Sequence, residues 1–471
     1  MDFIAEKVRA LCVKLRRMSE ETICSIDNIQ IASCDYKKDK NAPDTDTEFL
    51  PFKEGERVSG KDKHFWVKLN FETPEKVNGK KIYFSLHTGR ENEWDATNPQ
   101  CLVYLNGKIV QGLDVNHTDS LLEFGKKYEM LIYYYVGMID KPTDIIPGLK
   151  LVDEKVRELY YDIHVPYEAA LCFKETDDNF ITIMRYLDNT LRRVNFLVPG
   201  SDEFYKSVDD ALAYIKGEFY GKVCGKSETS VNCIGHTHID VAWMWTVAQT
   251  REKAQRSFST VLSLMEQYPE YKFMSSQPQL YEFVKRDAPE LFERIKEAVK
   301  DKKWEPEGSM WLEADCNITS GESLIRQILF GKRFFKNEFG TDNNILWLPD
   351  VFGYSAAMPQ IMKKSGIKYF VTSKISWNES NTMPYDTFYW QGIDGSEIFT
   401  YFITAQDLPE NGEKVNFTTY VGYIRPKQVI GTWERYNQKE YNNETLITFG
   451  FGDGGGGPTA DMLEQQRRLS Y

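Results

Sequence analysis

The residues His236-Thr237-His238-Ile239-Asp240 put two imidazoles and a carboxylate into one short stretch, directly after the run Val231-Asn-Cys-Ile-Gly235. Imidazole nitrogen and carboxylate oxygen are both ligands for a divalent cation such as zinc. Three later apolar runs also end in side chains fit for chemistry: Leu-Trp-Leu-Pro at Asp350, Val-Thr-Ser at Lys374 and Phe-Gly-Phe-Gly at Asp453. Asp350 and Asp453 are the natural pair of catalytic carboxylates. In a retaining glycosidase one carboxylate attacks the anomeric carbon and the other protonates the leaving oxygen, at a separation of about 5–5.5 Å. The glycines that follow Asp453 allow backbone to come close to a ligand. A phosphate loop of the form GxxxxGK[ST] needs a lysine that this stretch lacks.

His-x-His at a first strand end also occurs in metal-dependent amidohydrolases, but that chemistry needs later histidines. All six histidines of this chain lie at or before His238. His238 and Asp240 with a later carboxylate fit a metal site better, with one neutral ligand still wanted. A second possibility stays open, in which these two residues only cap the helix that follows.

Such residues converge only if elements bring them together. After Ser230 short apolar runs alternate with helical stretches, the pattern of a mostly parallel α/β layer whose strand ends meet on one face. Expected helices include Ala254–Gln267, one beginning at Asp287-Ala-Pro-Glu290 with Asp287 as cap, one opened by Ser320 and closed near Gly340, and Met358–Lys364 closed by Gly366. Asp394-Gly395 reads as a hairpin tip and not as chemistry. Before this layer, from about Ile31 to Val165, the chain reads as an antiparallel sandwich. HFWVKLNFE, KKIYFSLHT, QCLVYLNGKIV and LIYYYVGM supply strands, Asn106-Gly107 supplies a turn, and VPYEAALCF is a further strand candidate. Trp66 and Trp94 read as core or interface, and His64, His87, His117 and His164 as structural. Helical spacing returns over Asp177–Tyr220, and residues 221–230 form the best boundary. The organisation expected is an N-terminal helix over 1–29, a β-rich unit with trailing helices over 30–228, and an α/β catalytic unit, seven-stranded and barrel-like, over 229–471.

The chain has 471 residues, a formal charge of −12 and no Lys/Arg run, which excludes nucleic acid as a main partner. Ile4, Val8, Leu11 and Leu15 share one helical face, and charged residues interrupt any signal-peptide core. No apolar run is long enough to span a bilayer. Eight scattered cysteines, Cys172 and Cys233 among them, read as buried thiols of a reducing compartment, hence a cytoplasmic setting.

Taken together, HTHIDVAW, SSQPQLYE, EGSMWLEADCNITSGESLIRQ, WLPDVFGYSAAMPQI, FVTSKISWN, FYWQGIDGS and FGFGDGGGGPT resemble glycoside hydrolase family 38, the class II α-mannosidases, in its cytosolic, vacuolar and bacterial branch. The resemblance runs from His236 to Thr459 and extends more weakly into the first half through NPQCLVYLNGKIVQGLD. It implies retaining hydrolysis of terminal α-mannose from oligosaccharides with Zn²⁺ or Co²⁺. It implies His238, Asp240 and Asp350 as metal ligands, Asp350 also as nucleophile, and Asp453 as acid/base. Trp243, Phe352 and Lys374 are implied to line the sugar site, with His236 in support. It also implies a fourth ligand, a histidine in a later His-His-Asp segment, so the chain is expected to be part of a longer protein. The alternatives are a metal-dependent carbohydrate deacetylase and a sugar-binding fragment without turnover; homo-oligomerisation is left open.

Overall fold

The computed structural model describes residues 2–36, 42–225, 227–409 and 415–471, so Lys226 in the expected boundary segment lies outside the described residues. The first half contains α1 (Asp2–Ser19) and strands β1 (Glu20–Ser25), β2 (Ile29–Cys34), β3 (Leu50–Phe52), β4 (His64–Glu72), β5 (Lys80–His87), β6 (Gln100–Leu105), β7 (Lys108–Asp114), β8 (Asp119–Leu122), β9 (Lys127–Tyr135) and β10 (Ile146–Asp153). Among the described residues these strands make two antiparallel sheets, ordered β1-β10-β5-β8 and β3-β2-β4-β9-β6-β7. Alternation along each strand sends Val67, Leu69, Val103 and Ile132 of one sheet against Ile82, Phe84, Leu149 and Leu151 of the other. Asn106 and Gly107 both have positive φ, as the tight β6–β7 turn requires.

The N-terminal helix stops at Ser19, short of the expected residue 29, because Glu20–Ser25 pair with β10. A second correction concerns VPYEAALCF, which is helix and not strand. Residues 165–170 of it close α2 (Glu154–Ala170), and 171–173 form the turn that follows; the first turn of α2 is capped by the Asp153 carboxylate accepting from Val156 N. Its aromatic and β-branched residues suit a strand by composition, yet Val156, Leu159, Tyr160, Ile163 and Tyr167 bury at helical spacing. They pack with Val8 and Leu15 of α1, and with α3 (Asp178–Leu191) and α4 (Asp202–Tyr214), in a separate helical core.

The second half runs β11 (Ser230–His236), α5 (Val247–Gln267), β12 (Phe273–Ser275), α6 (Pro278–Asp287), α7 (Pro289–Lys300), β13 (Trp304–Pro306), α8 (Gly321–Phe339), β14 (Ile345–Trp347), α9 (Met358–Lys364), β15 (Tyr369–Thr372), β16 (Thr387–Gln391), β17 (Glu397–Phe402), α10 (Pro426–Arg435), β18 (Glu444–Phe449) and α11 (Ala460–Leu469). The chain is therefore a mixed α/β protein. Strands β13-β12-β11-β18 are parallel, while β14-β15-β17 are parallel with β16 antiparallel at the edge. Among the described residues these ladders form two sheets; the expected barrel-like closure is not among them. Asp287 is not a helix cap: α7 starts from Ala288 without a side-chain cap, and Asp287 ends α6 and pairs with Arg251. Cys172 and Cys233 are half-buried, not fully inside. Among the described residues no helix is long and apolar enough to cross a membrane.

Helix α5 joins the halves, together with α10 and α11, which pack on α2. Nearly every residue from Gln249 to Met265 is buried, including Glu252, Lys253 and Arg256, because one side faces the parallel layer and the other faces β6 and β7. Gly112 on β7 permits this approach, since a Cβ there would lie 2.8 Å from Cβ of Arg256.

Candidate active site

Strand β11 ends at His236 and delivers His238 and Asp240 into a turn without regular hydrogen bonding. The turn is braced from three sides: Trp245 Nε1 donates to Asp240 O at 3.1 Å, Thr250 Oγ1 to Val241 O at 2.6 Å, and Gln277 Nε2 to Ile239 O at 2.9 Å. Asp453 follows β18, the parallel neighbour of β11. Asp350 and Lys374 follow the adjacent strands β14 and β15. The expected convergence of strand ends is thus built by two neighbouring pairs of parallel strands.

His238, with 3% of its side chain exposed, is the centre of the cluster. Its Nδ1 lies 2.9 Å from Glu313 Oε2, and its Nε2 lies 3.4 Å from Asp240 Oδ1 and 3.6 Å from Asp350 Oδ2. Ligand atoms of His238, Asp240 and Asp453 all fall within 4.8 Å of one another. Both ring nitrogens are buried and neither makes a well-formed hydrogen bond; Nδ1 is ion-paired with Glu313, while Nε2 has no partner nearer than 3.4 Å. Spacings of 3.4–3.6 Å are long for hydrogen bonds. They match the edge of a tetrahedron, roughly 3.4 Å for ligands about 2.1 Å from a shared ion. A buried imidazole nitrogen facing carboxylate oxygens at that spacing fits a divalent cation. Glu313 sits against the opposite ring nitrogen as an ion-pair partner, where it holds the imidazole by charge. Burial disfavours charge on His238, but Glu313 and Asp240 outweigh it and hold its pKa well above the ordinary value. His236, two residues earlier, is its opposite. Burial, with the charge of His238 beside it, pushes it down to about 3 and keeps it neutral against the Trp347 ring.

Asp350 is held through one oxygen. Lys374 Nζ donates to Oδ1 at 2.6 Å and Tyr420 OH donates to the same atom at 2.5 Å, which leaves Oδ2 towards His238. Burial and the Asp350 charge push the Tyr420 phenol far up, so it acts as a donor. Asp453 has a φ of 51°, in the left-handed region. Burial raises the pKa of its carboxyl; His238 and Lys374 pull it down, while Asp240 and Asp350 add to the rise. The structure thus brings His238, Asp240, Asp350, Lys374 and Asp453 together. The tight trio contains Asp453 where the sequence resemblance implied Asp350, and Asp350 meets the trio at His238. Trp243 and Phe352 stand at the rim, 51% and 73% exposed, and the Trp243 ring packs edge-on against Trp94 and Trp245.

Two contributors were given no role from sequence, and a third, Trp94, was read only as core or interface. Glu313 lies inside EGSMWLEAD, a motif without internal spacing that singles out one carboxylate; Ser276 Oγ, from SSQPQ, donates to its other oxygen at 2.5 Å. Tyr420 sits in an aperiodic segment and carried no signal. Trp94 belongs to the sandwich and reaches the rim only through the packing of the two halves.

The model of the glycosyl hydrolases family 38 N-terminal domain matches residues 228–471, more than half of the chain. Alpha-mannosidase G of Dictyostelium discoideum is 33% identical over 89% of this chain and 38% of its own length. Alpha-mannosidase 2C1 of Homo sapiens is 41% identical over 86% of this chain and 38% of its own length. The crystal structure of an alpha-mannosidase from Enterococcus faecalis V583 superposes with a TM-score of 0.43 at 21% identity, covering 52% of this chain and 27% of that one. The chain spans under two fifths of the length of the curated relatives it matches. With the family's domain matched from the start of β11 through Asp453 and on to Tyr471, the chain belongs to glycosyl hydrolase family 38.

Proposed function

We propose that this chain forms the catalytic part of a metal-dependent, retaining exo-α-mannosidase acting on mannose-containing oligosaccharides in the cytoplasm. The observation that carries this is two carboxyl groups of opposite character beside one buried imidazole. Asp350 is tied to an ammonium and a phenol, while Asp453 is pushed by burial towards keeping its proton. The names of the relatives support mannose as the sugar.

His238, Asp240 and Asp350 would hold Zn²⁺ or Co²⁺. The bound ion supplies Lewis-acid polarisation of sugar hydroxyls. The Asp350 carboxylate forms a bond to the anomeric carbon as the glycosidic C–O bond breaks, and Asp453 gives its proton to the departing oxygen. Water then attacks the same carbon, Asp453 takes a proton from it, and the bond to Asp350 breaks. Both carboxyl groups return to their starting states and mannose leaves with retained configuration. Lys374 and Tyr420 aim the Asp350 carboxylate throughout.

In the full-length protein, proton NMR of aryl α-mannoside hydrolysis should show α-mannose first; β-mannose first would overturn retention. Asp350→Ala should abolish turnover, and unchanged turnover would sink its role as nucleophile. Metal content after dialysis separates the two carboxylates. Asp350→Ala should lose the ion and Asp453→Ala should keep it; the reverse result would exchange their assignments.

A further inference from the structure

The loop that carries Asp453 rests on the first half of the chain. Phe451 and Gly457 exchange both backbone hydrogen bonds at 2.9 Å, closing the segment between them into a loop. Polar side chains from outside fill the space beside its glycines. A Cβ on Gly454 would lie 2.5 Å from Lys253 Nζ, and one on Gly456 would lie 2.5 Å from Asp114 Oδ2 and 2.7 Å from His117 Nδ1. One on Gly455 would collide with Asp95 Oδ2. Two side chains also bond the loop directly. Asn116 Nδ2 donates to Gly455 O at 3.4 Å and to Asp95 Oδ2 at 2.9 Å, and His117 Nε2 donates to Pro458 O at 2.9 Å. His117 Nδ1 faces Asp114 Oδ1 at 3.0 Å, so both ring nitrogens have acceptors and the ring carries both protons. Burial opposes that charge, but Asp114 outweighs it and raises the His117 pKa. The Asp114 carboxylate also accepts the backbone N–H groups of Asn116 and His117 at 2.8 and 2.9 Å, which makes the β7–β8 turn a preorganised unit.

We propose that Asn116 and His117, from the β7–β8 turn of the sandwich, are positioning residues for proton transfer: they seat the glycine loop and thereby aim Asp453. This rests on the assignment of Asp453 as acid/base. Neither residue is asked to touch substrate. Side chains on the loop itself could not replace the clamp, because four consecutive glycines follow Asp453 and have none to offer. A loop seated from outside is positioned only as well as its seat.

The test uses the full-length protein and the leaving-group dependence of kcat/KM, which reports the first bond cleavage. A dinitrophenyl α-mannoside departs without protonation, whereas a 4-methylphenyl α-mannoside needs the acid. Asn116→Ala and His117→Ala should lower kcat/KM on the methylphenyl substrate by ~10–100-fold, the scale of a misplaced catalytic group. The dinitrophenyl substrate should change by about threefold or less, since it draws little on general-acid help. His117→Gln keeps one donor for Pro458 and should recover most of the loss. Asn116 is only half-buried, so its variant stays informative if the histidine variant folds poorly. Equal losses on both substrates, or none, overturn the clamp if Asp453→Ala shows the selective loss. If Asp453→Ala itself loses both substrates alike, the acid/base assignment falls and the clamp falls with it.

Discussion

The β3-β2-β4-β9-β6-β7 sheet buries both faces, and it does so with opposite chemistry. Its inner face meets the second sheet through Val67, Leu69, Val103, Leu113 and Ile132, an apolar contact that any close-packed filling can satisfy. Its outer face begins with Trp66, Leu102, Tyr104 and Tyr133, then turns polar where it meets α5. There His64 Nε2 lies 3.1 Å from Glu252 Oε1, Glu252 lies 3.7 Å from Arg256, and Gln100 Oε1 accepts from Lys253 at 3.1 Å and also from Arg256. Ser263 Oγ donates to Gln111 Oε1 at 2.9 Å. Hydrogen bonds are directional where apolar contact is not, so the outer face fixes where α5 sits along the sheet. That matters because Thr250, near the start of α5, braces the turn carrying His238 and Asp240.

The difference is largest for single substitutions. Glu252→Leu leaves Arg256 buried without its carboxylate and should cost ~3–5 kcal/mol in urea unfolding. Replacing Arg256 by Met in the same protein should restore much of that stability. Ile132→Val on the inner face should cost only about 0.5–1.5 kcal/mol. Equal costs for Glu252→Leu and Ile132→Val would erase the distinction between the faces.

A pH series sharpens it next. Burial, then the neighbouring Arg256 charge, lowers Lys253 from 10.5 to about 7. Between those values the unfolded chain holds the proton that the folded chain has released, so this contribution to stability rises with pH across the window from about 7 to 10.5. Lys253→Met should flatten that rise by on the order of a few kcal/mol. An unchanged slope would mean that the lysine stays charged and paired in the seam. The smallest effect belongs to Trp94, whose half-exposed ring meets Trp243 edge-on with centroids 5.8 Å apart. Trp94→Ala should leave the unfolding midpoint unchanged and raise KM for an oligosaccharide by an amount worth ~0.5–1.5 kcal/mol. An unaltered KM would confine Trp94 to the surface.

These contrasts also mark what could be seen in the sequence. The inner face was legible because alternation along HFWVKLNFE and KKIYFSLHT states which side chains share a side, and one such side is apolar. The strand ends bearing His238, Asp350, Lys374 and Asp453 were legible for a similar reason: each closes an apolar run. The outer face was not, since Glu252, Lys253 and Arg256 in a helix look like a solvated stripe until a second body covers them. Helix α2 was misjudged over VPYEAALCF because tertiary packing overrode composition. Glu313 and Tyr420 act through loops that only the assembled layer brings to His238 and Asp350. Asp95, Asn116 and His117 lie hundreds of residues from the glycine loop, and no local pattern joins them to it.

The burial of α5 from both sides bears on how separable the two halves are. A catalytic layer cut free at residue 228 would present Glu252, Lys253 and Arg256 to water beside Trp245 and would leave the glycine loop without its outside support. A sandwich expressed alone would leave His64, Gln100 and Gln111 without the α5 partners Glu252, Lys253 and Ser263. Neither piece is a self-sufficient module. The two should melt in a single calorimetric transition and, during synthesis, the sandwich should wait for α5 before its outer face is shielded.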